Sequence, residues 1–223
     1  MALYQSQNLN GRIRSVGQFL LKVALLLFLS CITAVSLLVI RSHDPVYVLR
    51  ELKDWTDYRR YDTLIIKVAG EYDLDPRLIK ALVWRESRFQ ADMIGRNGER
   101  GLMQVSEIAA RDWAAAKGVK DLRPDQILIP EMNLEIGTWY LKKAVQRWNY
   151  QDDAVPFALA EYNAGKSRVD RWIRTALRKK NGQPVTAETF QDSIDFPSTA
   201  RYVKAILGRY DFYKRRGPLL AGS

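Results

Sequence analysis

Histidine and cysteine are almost missing. Among 223 residues the chain carries one of each, His43 and Cys31. A single chain therefore cannot assemble a Cys/His zinc site, nor can it close an internal disulfide. A Ser-His-Asp triad would have to recruit His43, three residues beyond an apolar stretch and remote from any pocket the pattern implies. Carboxylates, hydroxyls and amides are left, so any catalysis falls to Glu or Asp. Alternating strand pairs joined by a hairpin turn are also lacking, as are internal repeats. Acidic charge is in deficit: 35 Lys and Arg stand against 25 Asp and Glu, a formal +10. That surplus suits an anionic partner, whether nucleic acid, phospholipid or an acidic polymer, without choosing among them. A hydrophobic content of 47% excludes global disorder.

Charge is wholly absent from Val23 to Ile40, and Phe19 to Leu21 extend the apolar run past Lys22. This is long enough for a transmembrane helix and long for a signal-peptide core. No small-x-small cleavage site precedes Arg41, so a retained anchor is expected, with a cleaved signal as the alternative. Cys31 has apolar residues on both sides, which fits lipoprotein acylation poorly. Flanking cations do not orient the segment: Arg12, Arg14 and Lys22 precede it, and Arg41, Arg50 and Lys53 follow.

Beyond residue 60 the periodicity is helical. In "DPRLIKALVWRES" Asp75 reads as an N-cap with Pro76 at the first helical position. Leu78, Ile79, Leu82 and Val83 then mark one face, and Glu86 falls on it, four residues after Leu82 and three after Val83. A carboxyl among apolar neighbours keeps its proton to higher pH, which suits a general acid. "SEIAARDWAAAKG" starts at a Ser106 cap and ends at Gly118. "PEMNLEIGTWYLKKAVQRW" opens on Pro130 and aligns Leu134, Gly137, Leu141 and Val145. Three further stretches, beginning at Val155, Ser167 and Ser198, read as helices.

Between the first two helices, "GERGLMQV" supplies Gly98, Gly101 and Gln104. Glycines let backbone approach a bulky ligand, and an amide can bond sugar hydroxyls. "AEYNAGKS", Ala160 to Ser167, loosely matches a phosphate loop. It lacks a preceding strand and places Glu161 where phosphates would sit, so a nucleotide site is not expected.

Taken in order, Glu86-Ser87, Gly101-Leu102-Met103-Gln104, Tyr162-Asn163-Ala164-Gly165 and Tyr202-Val203 resemble the soluble-lytic-transglycosylase-type domain of peptidoglycan lyases, over about residues 60–213. The resemblance implies a mainly α, lysozyme-like domain. It makes Glu86 the sole acid/base, puts Gln104 and Tyr162 in the substrate groove, and adds Ser87, Met103 and Asn163 to the substrate-binding set. It implies cleavage between N-acetylmuramic acid and N-acetylglucosamine that forms 1,6-anhydro ends, with no metal or cofactor. The substrate would be peptidoglycan strands, not nucleic acid; envelope or secretion machinery is a further partner class. Three positions depart from the family pattern and bear on subsite preference. Gly95 stands where serine is common, Ser106-Glu107 replace methionine-proline, and Ser198-Thr199-Ala200 replace a run that opens on glutamate.

A wall-cleaving domain must face the wall. The expected order is therefore a cytoplasmic segment 1–18, a transmembrane anchor 19–40 in the inner membrane, a linker helix 41–60, a periplasmic catalytic domain 61–215 and a tail 216–223. Asp92, Glu99, Glu161 and Asp195 stay open as second carboxylates. So do two other functions: a lysozyme-type hydrolase, and a non-catalytic glycan-binding envelope protein. Arg171, Arg174, Arg178, Lys179 and Lys180 read as a solvated basic face.

Overall fold

The computed structural model describes residues 17–34, 36, 37, 57–179 and 181–220. The chain divides into two units, Met1–Thr56 and Asp57–Ser223. In the first, Gly17–Ala34 is a helix of 18 residues, long and apolar enough to cross a membrane. At 1.5 Å per residue it spans about 27 Å, close to the hydrocarbon thickness. A signal sequence meets the same test of length and composition. Residues 35 and 38–40 of the expected anchor, His43, Lys180 and most of the expected linker lie outside the described residues. Of that linker, Asp57–Arg59 form a 3-10 turn.

The second unit is built from α1 (Asp62–Glu71), α2 (Pro76–Ser87), α3 (Glu107–Lys117), α4 (Pro130–Arg147), α5 (Ala154–Ala164), α6 (Lys166–Lys179), α7 (Ala187–Ser193) and α8 (Pro197–Arg215). Among the described residues there is no strand, only isolated bridges that join Ile94 to Arg100 and Arg100 to Val105. The mainly α expectation holds.

α2 is the central helix, packed between α1 and α8, while α5 lies against α4 and α8. Its start follows the sequence: the Asp75 carboxylate accepts the Arg77 N–H at 2.8 Å, and Pro76 occupies the first turn. Ile79, Leu82 and Val83 are fully buried. Lys80, between them in the chain, is buried as well, and its ammonium lies 2.5 Å from Asp62 of α1 and 5.2 Å from the Tyr213 ring of α8. Burial works against both charges, and their pairing keeps them inside. α3 begins and ends as read, with the Ser106 hydroxyl accepting from the Ala109 N–H and Gly118 at φ 71°.

α7 was not expected. Its capping box uses two threonines, Thr186 and Thr189, and Phe190 is its one large apolar residue. Phe190 stacks on Phe157 at 4.0 Å between centroids. A single anchor gives no periodicity to read.

Candidate active site

Glu86 sits in the last turn of α2, where Arg88 (φ 53°) and Phe89 (φ 62°) leave the helix in the left-handed region. They turn the chain so that the loop through residue 105 folds back beside the helix end. Two buried side chains pin that loop. Ser87 Oγ donates to the Leu102 carbonyl at 2.8 Å. Asn133 of α4 accepts the Met103 N–H at 2.7 Å and donates to the carbonyls of Arg100 (2.7 Å) and Ile127 (2.8 Å). Two glycines make the fit possible. A Cβ on Gly101 (φ 74°) would lie 2.3 Å from Asn133 Nδ2, and one on Gly137 would lie 2.5 Å from Met103 Sδ.

The result is a cavity of about 430 Å³, lined among others by Glu86, Glu99, Gln104, Tyr140, Tyr162 and Asn163. Desolvation is the dominant influence on Glu86 and pushes its pKa up from 4.5 to about 7. The Tyr202 hydroxyl, which donates to Glu86 Oε1 at 2.5 Å, pulls the other way, as does Arg85; the charge of Glu99 adds to the rise. Burial holds the phenols of Tyr162 and Tyr202 protonated. A carboxyl that loses its proton near neutrality, at the wall of an open cavity, can act first as acid and then as base.

The structure gathers most of the expected residues but sorts them. Gln104 lines the cavity, and its Nε2 donates to the carbonyls of Gly101 (2.9 Å) and Met93 (3.2 Å), which leaves Oε1 as an acceptor. Tyr162 lines it too, donating to the Met103 carbonyl at 2.9 Å and meeting Tyr140 edge-on at 5.9 Å between centroids. Asn163 reaches the rim, and its Oδ1 accepts from Thr199 Oγ1 at 2.8 Å. Thr199 belongs to one of the departures from the family pattern.

Ser87 and Met103, expected in the substrate-binding set, lie behind the cavity wall. Both side chains are buried, at 1% and 0% exposure, and neither is among the cavity-lining residues. They hold the wall from beneath: Ser87 through Leu102, Met103 by filling the space over Gly137.

Of the four carboxylates left open, Glu99 alone is in the cavity lining. Glu161 is buried, accepting from Trp148 Nε1 at 2.7 Å and from Arg147. Asp195 accepts from Trp172 Nε1 at 2.6 Å and from Arg171 at 3.3 Å. Asp92 is exposed. The phosphate-loop segment is the α5–α6 junction, with Glu161 inside and Gly165 as the cap, so no strand precedes it. Arg171, Arg174, Arg178 and Lys179 are exposed on α6.

Sequence reading missed Tyr202 as the partner of Glu86, and it missed Asn133 and Tyr140. Tyr202 lies 116 positions from Glu86. Its place in a motif was visible, but no local spacing could reveal the contact.

Residues 63–183 match the family described as the transglycosylase SLT domain. Over 156 residues the chain is 32% identical to the soluble lytic murein transglycosylase of Salmonella typhimurium, an alignment covering 70% of this chain and 23% of that one. It is 28% identical over 181 residues to the membrane-bound lytic murein transglycosylase F of Desulfosudis oleivorans, covering 73% and 38% respectively. Among solved structures it superposes with TM-score 0.60 and 25% identity on the lytic transglycosylase Slt of Pseudomonas aeruginosa. That structure is of an inactive variant with a glutamate replaced by glutamine; the match covers 68% of this chain and 23% of that one. This chain thus spans about a quarter of the length of the soluble relatives it matches.

Proposed function

Because this chain belongs to the transglycosylase SLT domain family, we propose that it is a lytic transglycosylase that cleaves peptidoglycan between N-acetylmuramic acid and N-acetylglucosamine. The observation that carries the reading is Glu86, a carboxyl with a pKa of about 7 on the wall of a cavity of about 430 Å³. Glu86 donates its proton to the bridging oxygen as the C1–O bond breaks, and the substrate's N-acetyl group steadies the positive charge at C1. Now ionised, Glu86 takes the proton of the C6 hydroxyl on the same sugar. That oxygen closes on C1 and leaves a 1,6-anhydro end. An internal nucleophile is already in place, which lowers the entropic part of the barrier. The cycle returns Glu86 to its starting state and needs no cofactor. The inactive glutamine variant of the Pseudomonas aeruginosa relative supports a glutamate in this role. A groove that only binds glycan has no use for a carboxyl titrating near neutrality.

Digestion of purified sacculi by the detergent-solubilised full chain, followed by mass spectrometry, tests this. Anhydromuramic ends are expected to dominate the new chain ends, and a digest without them would remove the transglycosylase reading.

The same reading places the protein at the cytoplasmic membrane, with Gly17–Ala34 as a retained single-pass anchor and the catalytic unit in the periplasm. The membrane-bound relative from Desulfosudis oleivorans is in keeping with this. A C-terminally tagged chain is expected in the membrane fraction with its N-terminus intact, and open to protease added to spheroplasts. A soluble product starting after residue 34 would make the helix a signal peptide; protection from external protease would reverse the orientation.

A further inference from the structure

Phe196 caps the start of α8 and stays 39% exposed, although its ring is held from several sides. The buried Trp172 meets it edge-on at 6.1 Å between centroids. Two guanidiniums stand over it: Arg168 Cζ lies 5.1 Å from the ring centroid and Arg171 Cζ 5.8 Å. Arg171 is shared with Asp195 at 3.3 Å, and Asp195 also accepts from Trp172 Nε1. The neighbouring Asp170 is taken by Lys166 at 2.5 Å. Arg168 has no such acid. Its contacts among the described residues are the Phe196 ring and the Ala164 carbonyl, to which Nη1 donates at 2.8 Å. An exposed guanidinium with five N–H groups therefore has donors to spare.

The patch adjoins the cavity. Ala164 follows Asn163, which lines the cavity and accepts from Thr199, three residues after Phe196. Three residues further on, Tyr202 donates to Glu86. At 1.5 Å per residue the patch thus lies about 9 Å along α8 from the partner of Glu86. Ser198, where the family pattern opens on glutamate, adds no acid to this rim.

An aromatic ring that steadies two guanidiniums fits a carboxylate. The negative face of the ring holds the cations, and a planar fork can give paired N–H bonds to a planar acid. A neutral sugar offers no charge to answer them. The peptide carried by a peptidoglycan strand does, because it ends in a free carboxylate. We propose that Arg168 and Arg171, steadied on Phe196, form a subsite for a carboxylate of that peptide, and that this subsite selects peptide-bearing strands for the cavity. The proposal deepens the preceding section and rests on its reading of the ligand as peptidoglycan. Arg168 makes the main contact, while Arg171, half neutralised by Asp195, adds charge beside it. Neither takes part in breaking the C1–O bond, so the gain falls on substrate binding.

The test measures binding by the detergent-solubilised full chain carrying Glu86→Gln, so that strands stay intact. The probes are soluble peptide-bearing glycan strands and the same strands with their carboxylates amidated. The acidic strands are expected to bind with a Kd roughly 10-fold lower, the lower end for a charge-assisted hydrogen bond. That ratio should shrink as salt rises, because the patch is exposed. Adding Arg168→Gln should bring the two Kd values together, since an amide carries no charge to offer. Phe196→Ala should narrow the ratio as well, by releasing both guanidiniums. Each is read only where circular dichroism and melting match the folded parent, so a folding defect in one leaves the other to decide. Equal Kd values before either change, or a ratio that the folded variants leave standing, would overturn the proposal and make this end of α6 a solvated basic face. A preference for the amidated strands would overturn it too. The transglycosylase reading would survive those results, since it stands on the anhydro ends released by the parent. A ratio lost in Arg168→Gln, together with a parent that releases no anhydro ends, would keep the subsite and remove the transglycosylase reading instead.

Discussion

Glu86→Gln is expected to cut the release of anhydro ends by more than about 100-fold, the scale of a lost general acid–base group, and at the same time to make the protein more stable above pH 7. The two effects share one cause. The folded protein holds the Glu86 proton to about pH 7, whereas the unfolded chain releases it near 4.5. Between those values the folded state binds the extra proton, so stability falls as pH rises through the window. Above pH 7 the cost of a buried charge is present in full. A rise of that size corresponds to at most about 3 kcal/mol. Glutamine has the same shape, no charge, and an oxygen that can still accept from Tyr202. Denaturant melts at pH 4 and pH 8 check the sign: near-equal stabilities at the lower pH, and a more stable variant at the higher. A gap that does not change with pH would mean that Glu86 is solvated. Near-normal anhydro release by the folded variant would remove it from the chemistry.

How much of this was legible follows from the range of each interaction. The start of α2 was readable because Asp75, Pro76 and the apolar stripe act within a few residues of one another. That Glu86 extends this stripe was readable for the same reason, and burial then produced the raised pKa. Tyr202 was not readable as its partner, because α8 reaches Glu86 only once the core has formed. The buried Lys80 went unseen because a lysine between apolar positions reads as an outward face; only Asp62, on another helix, makes its burial tolerable. Which way each member of the binding set points was not legible either. Ser87 and Met103 adjoin groove residues in the chain, but neighbours on a helix or tight loop point different ways, and these two point inward.

Asn133→Ala carries the second large effect, one of stability rather than chemistry. Asn133 is fully buried and satisfies three backbone groups with one amide. Those groups do not lose equally. The Arg100 carbonyl also accepts from the Val105 N–H at 2.9 Å, so it keeps a partner. Among the described residues, the loop and turn hydrogen bonds include no second backbone partner for the Met103 N–H or the Ile127 carbonyl. Each buried group left unpaired costs about 1–3 kcal/mol, so a loss of roughly 2–6 kcal/mol is expected for the two. For a unit of this size that lowers the melting temperature by about 5–15 °C. Asn133→Asp separates lost hydrogen bonds from lost volume, because it keeps the shape and exchanges the two donors for an acceptor. Its carboxylate would face the Arg100 and Ile127 carbonyls, and only protonation restores a donor. The folded state therefore raises the pKa of that acid, and the variant should recover stability as pH falls. Both variants should also lose activity in the surviving folded fraction, since the residue carries the Gly101–Gln104 turn and the Met103 carbonyl that Tyr162 holds. A melting temperature within about 2 °C of the parent for Asn133→Ala, less than 1 kcal/mol on that scale, would mean that water replaces the amide and that the loop does not depend on it.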